Sequence, residues 1–237
     1  MLFALLAVLP AATSLQGRDP SGHSADLTDQ GTFEIFSGGK SIGTEDFAIR
    51  IHSEHVEARS DEQLQVDQNG KMIAVETSSN FVLDLHLNPI SYTWSQKGAQ
   101  SSQLSIDFRT QPAHARYKQI TGKEDQREFK LDTDVVVLDD NVIHHYELAI
   151  ARYDLAKGGP QVLSGFVPQE AMPGVLMMND AGLDETMLNG VKVTVRHYAL
   201  VAGSTQINLW ADDRGHLQLM STADFQFQAR RKQETNK

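Results

Sequence analysis

From Gly31 onward, apolar and polar residues take turns along most of the chain. Ile42–His52 sets Phe47, Ile49 and Ile51 on one side and Asp46, Arg50 and His52 on the other, the period-two signature of a strand with one buried face. The pattern recurs: Phe81, Leu83, Leu85 and Leu87 alternate with Asp84 and His86, and Ile90, Tyr92 and Trp94 alternate with Ser91, Thr93 and Ser95. Leu104, Ile106 and Phe108 do the same with Ser105, Asp107 and Arg109. Turn chemistry punctuates these runs. Ser37-Gly38-Gly39-Lys40 follows the strand Thr32–Phe36, and Asn69-Gly70 joins Val56–Val66 to Met72–Thr77 through a turn whose central residues need positive φ. Asn189-Gly190 leads into Val191–Val201, where Val191, Val193, Val195 and Ala199 share an inward face with His197. Ile207–Ala211, Leu217–Ser221 and Phe225–Ala229 complete the series, and the charged stretch Lys118–Lys130 reads as a solvated hairpin or sheet edge.

Two segments depart from this rhythm. Val142, Tyr146, Ala149, Ile150 and Tyr153 recur at spacings of three and four, which predicts a helix over 141–157. Asp139, Asp140 and Asn141 offer N-caps, and Gly158-Gly159-Pro160 ends it. After a short strand, Val162–Val167, the stretch Glu170–Thr186 carries Pro173, Gly174 and Gly182 and predicts an irregular loop. Its neighbourhood holds Met172, Met177, Met178 and Met187, side chains that adapt to uneven apolar shapes and suit a flap over a ligand. The expected fold is α+β, mainly antiparallel β: a curved sheet or half-barrel packed on one principal helix. A single β-rich domain spans 31–230, after a polar leader over 15–30 and before a polar tail over 231–237.

Composition narrows the function classes. Across 237 residues, 31 acidic against 21 basic side chains give a net charge of -10, which argues against nucleic acid or an anionic membrane surface as the main partner. No cysteine is present, so disulfides, thiolate catalysis and cysteine zinc sites are excluded. The apolar run Leu2–Leu9, then Pro10 and small residues, predicts a signal peptide over 1–14 with Ala12 and Ser14 at the cleavage site. No Lys or Arg precedes the run, so a start further upstream, or a buried strand or helix, stands as an alternative. The run is too short to span a bilayer and no later segment reaches that length. The expected address is periplasmic or secreted, with no lipid anchor and no stable membrane span.

Candidate chemistry is sparse. His52-Ser53-Glu54-His55 is not His-Glu-x-x-His on a helix, and at a strand end residues three apart point to opposite faces. His144 and His145 cannot both face one pocket, and His144 with Glu147 makes two ligands, short of a metal site. Ser164-Gly165 lacks the glycine of a nucleophile elbow. Ser37-Gly38-Gly39-Lys40 opens no helix, so it does not form a phosphate loop, and Asp212-Asp213-Arg214-Gly215 reads as turn chemistry. No catalytic residue, metal or cofactor is assigned.

Three stretches carry a resemblance. They are Gly31-Thr32-Phe33-Glu34-Ile35 with Ile42-Gly43-Thr44-Glu45, the helix after Asp139, and Trp210-Ala211-Asp212-Asp213-Arg214-Gly215-His216-Leu217. Together they cover about a third of the chain. The arrangement resembles a group of bacterial envelope proteins of unknown function, and through them the half-barrel carriers of the LolA/LolB lipoprotein-localisation type. The resemblance implies a concave apolar face crossed by helix, with a hydrophobic ligand between. On that basis Phe47, Ile49, Phe81, Leu83, Tyr92, Trp94, Ile106 and Phe108 are the expected cavity wall. Tyr146, Ile150, Tyr153, Met177 and Met178 are expected to close it, and His197 to touch the ligand. The function expected is non-enzymatic binding or carriage of a hydrophobic, lipid-like molecule. The alternatives are an envelope structural or protein-interaction module, and a hydrolase or isomerase whose site assembles in space around His197.

Overall fold

In the computed structural model, which describes residues 27–233 apart from 69, 99–100, 140 and 189, the period-two runs become strands of one sheet. β1 (Asp29–Ser37), β2 (Lys40–Ile51), β3 (Val56–Gln68), β4 (Lys71–Leu83), β5 (Pro89–Lys97), β6 (Ser102–Asp107), β7 (Ala113–Gln119) and β8 (Glu124–Phe129) form an antiparallel meander. The chain then passes through β9 (Val136–Val137) and α1 (His144–Ala151). A second meander follows: β10 (Gln161–Val167), β11 (Met172–Leu188), β12 (Val191–Ala202), β13 (Thr205–Ala211), β14 (Leu217–Thr222) and β15 (Phe227–Arg231). The two meanders join where β1 pairs with β15, Phe33 opposite Arg231 and Ile35 opposite Ala229. Only β9 and β10 run parallel among the described pairs.

The sheet stays open, with β8 and β9 at its edges, yet it curls until its far ends touch through side chains. Tyr117 on β7 donates its hydroxyl to the Pro168 carbonyl, just past β10, at 3.0 Å. Phe129 on β8 meets Phe166 on β10 at 4.8 Å between ring centres. Inside the curl lie Phe33, Ile35, Ile49, Phe81, Tyr92, Leu200 and Leu209, all at 1% exposure or less, together with Leu148 and Ala149 of α1. Each large apolar side chain so buried contributes about 1.5–3 kcal/mol. The close approach of β2 to β3 depends on Gly43, where a Cβ would stand 1.9 Å from the Gln63 carbonyl oxygen. At the opening turn, Gly38 and Gly39 take φ of 55° and 76°, as the Gly-Gly reading requires.

Several expectations need correction. The helix covers eight residues, His144–Ala151, rather than 141–157. Asp139 does not cap it, because its carboxylate already accepts the Tyr92 hydroxyl at 2.7 Å and the Gln169 amide at 2.9 Å. Asn141 sits at φ 60°, outside helical geometry, and residue 140 lies outside the described residues. After Arg152, the Asp154 carboxylate holds the amides of Ala156 and Lys157 in a turn. Nor does α1 bury a single stripe: His144, His145, Glu147, Leu148, Ala149 and Ile150 are all buried, because the curled sheet surrounds it. With one helix this short, the fold is chiefly β.

The expected loop over 170–186 is instead the 17-residue strand β11. Its supposed breakers have places in a strand. Pro173 pairs only towards β10, since the β12 ladder begins at Leu176, so its missing N–H costs no bond on the other side. Gly182, at φ 96°, occupies a bulge opposite His197. The alternation that begins at Phe81 ends early: β4 stops at Leu83, Leu85 is exposed, and Leu87 turns at φ 63°. β1 starts at Asp29, inside the expected leader, and β15 runs to Arg231, inside the expected tail. The expected signal peptide lies outside the described residues. No helix among those residues is long and apolar enough to cross a membrane.

Candidate functional site

The first residues of β1, the last of β15, α1, the β11–β12 hairpin and the β13–β14 turn enclose a cleft of about 1230 Å³. One wall is apolar, drawn from Leu27, Ile150, Tyr153, Leu155, Leu183, Val193 and Val195. The floor is polar. Strand alternation places Asp29, Gly31 and Phe33 on the inward face of β1, and Arg231 opposite Phe33 on β15.

Arg231 grips Asp29 with both terminal nitrogens, each 2.5 Å from a carboxylate oxygen, and also donates to the Gln30 carbonyl at 2.7 Å. Its guanidinium lies 5.3 Å from the centre of the Phe47 ring. Gly31 leaves room for it: a Cβ there would come within 3.0 Å of Arg231 Nη2. His216 arrives on the β13–β14 turn, which Asp212 organises by accepting the amides of Arg214 at 3.0 Å and His216 at 2.9 Å. Its Nδ1 stands 3.7 Å from Asp29 Oδ1 and 3.9 Å from Asp212 Oδ2. Glu147 comes from α1. Its Oε2 accepts the Leu217 amide at 2.8 Å, whereas its Oε1, equally buried, meets no N–H or O–H donor, and the carboxyl lies within hydrogen-bond reach of that of Asp29.

Charge divides the two carboxyls. Burial works to raise Asp29, yet the hydrogen bonds and charge of Arg231 outweigh it and leave Asp29 below the usual carboxylate range. Glu147 goes the other way. Burial, then the charge of Asp29, lift it well above the ordinary carboxylate range. Donor atoms of Asp29, Glu147 and His216 all lie within 4.8 Å of one another. Tyr198, in the cleft wall, has its hydroxyl pushed up to about 12, chiefly by burial.

Of the residues expected to line a cavity, Ile150 and Tyr153 do line this cleft. Phe47, Ile49, Phe81, Leu83, Tyr92 and Ile106 are packed in the core, and Phe108 and Tyr146 lie half-buried against it. Phe81 and Tyr92 meet edge-on at 5.6 Å, with the His145 ring beside both. Trp94 lines a smaller cleft of about 590 Å³ with Leu104 and Tyr117. Met178 is fully buried, while Met177 beside it is 43% exposed, because successive residues of a strand face opposite ways. They do not form one flap. His197 is not on the inward face: Tyr198 and Leu200 enter the main core, and His197 stacks on Trp210 at 4.7 Å and meets Asn208 Oδ1 at 3.1 Å on the other side.

Asp29, His216 and Arg231 escape a reading of the sequence alone, and Glu147 enters it only beside His144. A signal exists for Arg231. Continuing the alternation through Phe227 and Ala229 puts a charge on an inward position, which demands a buried partner.

No family model matches this sequence, and no curated protein matches it either. Among solved structures, it is similar to a β-barrel-like protein of domain of unknown function DUF1849 from Brucella abortus. That likeness has 11% identity and a TM-score of 0.55, and covers 87% of this chain and 95% of that one. A DUF1089 family protein from Pseudomonas aeruginosa superposes with 13% identity and a TM-score of 0.47, over 73% of this chain and 86% of that one. The first likeness fixes the fold alone. This chain is a β-barrel-like domain.

Proposed function

We propose that the protein is a non-enzymatic binding or carrier protein for a small molecule that is hydrophobic along most of its length and polar at one end. The observation that carries this reading is the cleft itself. Its volume of about 1230 Å³ exceeds the usual range of small-molecule sites, roughly 300–1,000 Å³, and leaves room for an elongated molecule. The wall of Ile150, Tyr153, Leu155 and Leu183 suits an acyl or similar chain, each buried CH₂ of which contributes about 0.8 kcal/mol. The floor of Asp29, His216 and Arg231 suits a polar end. The half-barrel carrier resemblance of the sequence points the same way. We assign its action to the periplasm, on the apolar run Leu2–Leu9 followed by Pro10 and small residues.

The test pairs a fluorescent fatty-acid probe with solvent extraction and mass spectrometry of the purified protein. Leu183→Asp, at a cleft position that is 69% exposed, should weaken the probe by more than tenfold without unfolding the chain. Met177→Asp, on the outer face, should leave the probe bound. No probe binding together with no recovered lipid would overturn the reading.

A second reading, an interaction module, draws on the outer face of β10–β11. There Val162 and Met177 are cross-strand partners at 71% and 43% exposure, with Val175 nearby at 65%. Under that reading Val162→Asp with Val175→Asp abolishes a partner complex and leaves the probe untouched.

A further inference from the structure

We propose that Asp29, Glu147 and His216 bind one divalent transition-metal ion, of the zinc or manganese class, at the floor of the cleft. Two carboxylates and an imidazole are a donor set that such ions take up. Each donor comes from a different part of the fold: β1, α1 and the β13–β14 turn. Their ligand atoms lie within 4.8 Å of one another, and no other trio of such donors among the described residues comes as close. Metal bonds of about 2.0–2.2 Å require these side chains to draw in by about an ångström.

A second observation points to a ligand. Glu147 is 1% exposed, and no N–H or O–H donor reaches its Oε1; the polar group set against the carboxyl is that of Asp29, itself an acceptor. Native proteins rarely leave such an atom without a donor. The geometry of charge agrees. The Arg231 guanidinium is committed to Asp29 at 2.5 Å and reaches Glu147 only at 3.9 Å, which leaves the second carboxyl of the pair without a close cation. A divalent ion between the two carboxyls would supply one.

The surroundings are those of a supported site. Arg231 orients Asp29, the Leu217 amide holds Glu147 Oε2, and Asp212 fixes the His216 backbone by accepting its amide at 2.9 Å. Three protein ligands leave coordination positions facing the cleft, as at open metal sites. The proposal does not depend on which molecule fills the cleft above, and failure of the fatty-acid probe would leave it standing.

The full chain, stripped with chelator, is titrated with Zn²⁺ and with Mn²⁺ by calorimetry, and with Co²⁺ by visible absorption. The expected result is saturable binding of one ion per chain. Glu147→Gln and His216→Gln should each weaken binding more than tenfold and remove the Co²⁺ bands. Glu147→Gln keeps the side-chain volume and an acceptor for the Leu217 amide, and circular dichroism and a melting curve check that it folds. His52→Gln with His55→Gln removes the exposed stacked imidazoles, 4.5 Å apart, and should change nothing. Absence of saturable binding, binding that survives Glu147→Gln, or binding lost with His52 and His55 would each overturn the proposal.

Discussion

Glu45 and Glu62 face each other on β2 and β3 beneath the start of α1, while Asp29 and Glu147 meet at its other side, on the floor of the cleft. Both are buried carboxyl pairs with histidines beside them, but their surroundings differ. Glu45 accepts the Ile143 amide at 2.7 Å and His144 Nδ1 at 2.6 Å, so a strand residue caps the helix that Asp139 and Asn141 leave uncapped. Glu62 accepts the Thr77 hydroxyl at 2.8 Å, and burial, then the charge of Glu45, raise its carboxyl to about 8. None of Glu45, Glu62, His144 or His145 lines a described cleft. The Asp29 pair instead opens onto the largest one. Polarity sealed from solvent serves the fold, and the same polarity at the foot of a cleft is available to a ligand.

The largest effect should come from breaking the sealed cluster. Glu45→Ala leaves the Ile143 amide and the His144 ring without their acceptor in a site of 0% exposure, and should cost about 3–5 kcal/mol. Urea denaturation measures it, and a loss below about 1 kcal/mol would show that the helix does not rely on this cap. Next comes Glu62→Gln. The folded chain holds the Glu62 proton up to about pH 8, whereas the unfolded chain loses it near 4.5. Wild-type stability from this group is therefore full below 4.5 and falls as pH rises through 8. The variant should gain on the order of 2 kcal/mol at pH 8 and nothing at pH 4. A gain that does not change with pH would remove Glu62 as its cause.

A smaller shift belongs to His145, whose ring packs against Phe81, Tyr92 and His144. Burial, then the neighbouring His144, hold it well below its usual 6.5, so the folded chain refuses a proton that the unfolded chain accepts. Stability is lost as pH falls below 6.5. His145→Phe keeps a ring of similar size and should recover about 1 kcal/mol at pH 5 relative to pH 7, read from urea midpoints at the two pH values.

Legibility follows what a local pattern encodes. Phe47, Ile49, Phe81, Tyr92 and Ile106 are recognisable as an inward face because period two is a property of the strand alone. The hairpin at residue 70 and the turn at Asp212–Gly215 are recognisable for the same reason. What goes unread depends on distant pairing. Pro173 and Gly182 look like breakers until β10 and β12 give them an edge position and a bulge. Asp29 and Arg231 are 202 residues apart, and only the β1–β15 ladder makes them neighbours. The inside and outside of β12 are exchanged in a one-strand reading because Val191, Val193 and Val195 outweigh Tyr198 and Leu200 there. The sheet's curl decides the matter: Val195 joins a small cluster with Leu188 and Trp210 instead of the main core.

Glu147→Gln makes the same chemical change as Glu62→Gln, at the open cluster. It should have the smallest effect on stability, because glutamine keeps the side-chain volume and still accepts the Leu217 amide. With volume and acceptor kept, the change should stay within about 1 kcal/mol. The two variants should then separate cleanly. Glu62→Gln changes the melting temperature with pH and leaves Co²⁺ absorption intact, while Glu147→Gln melts nearly as wild type and loses the Co²⁺ bands. Melting curves and titrations on the same samples give both readouts, and if Glu62→Gln weakened the metal as much as Glu147→Gln does, the division between a sealed cluster and an open one would fail.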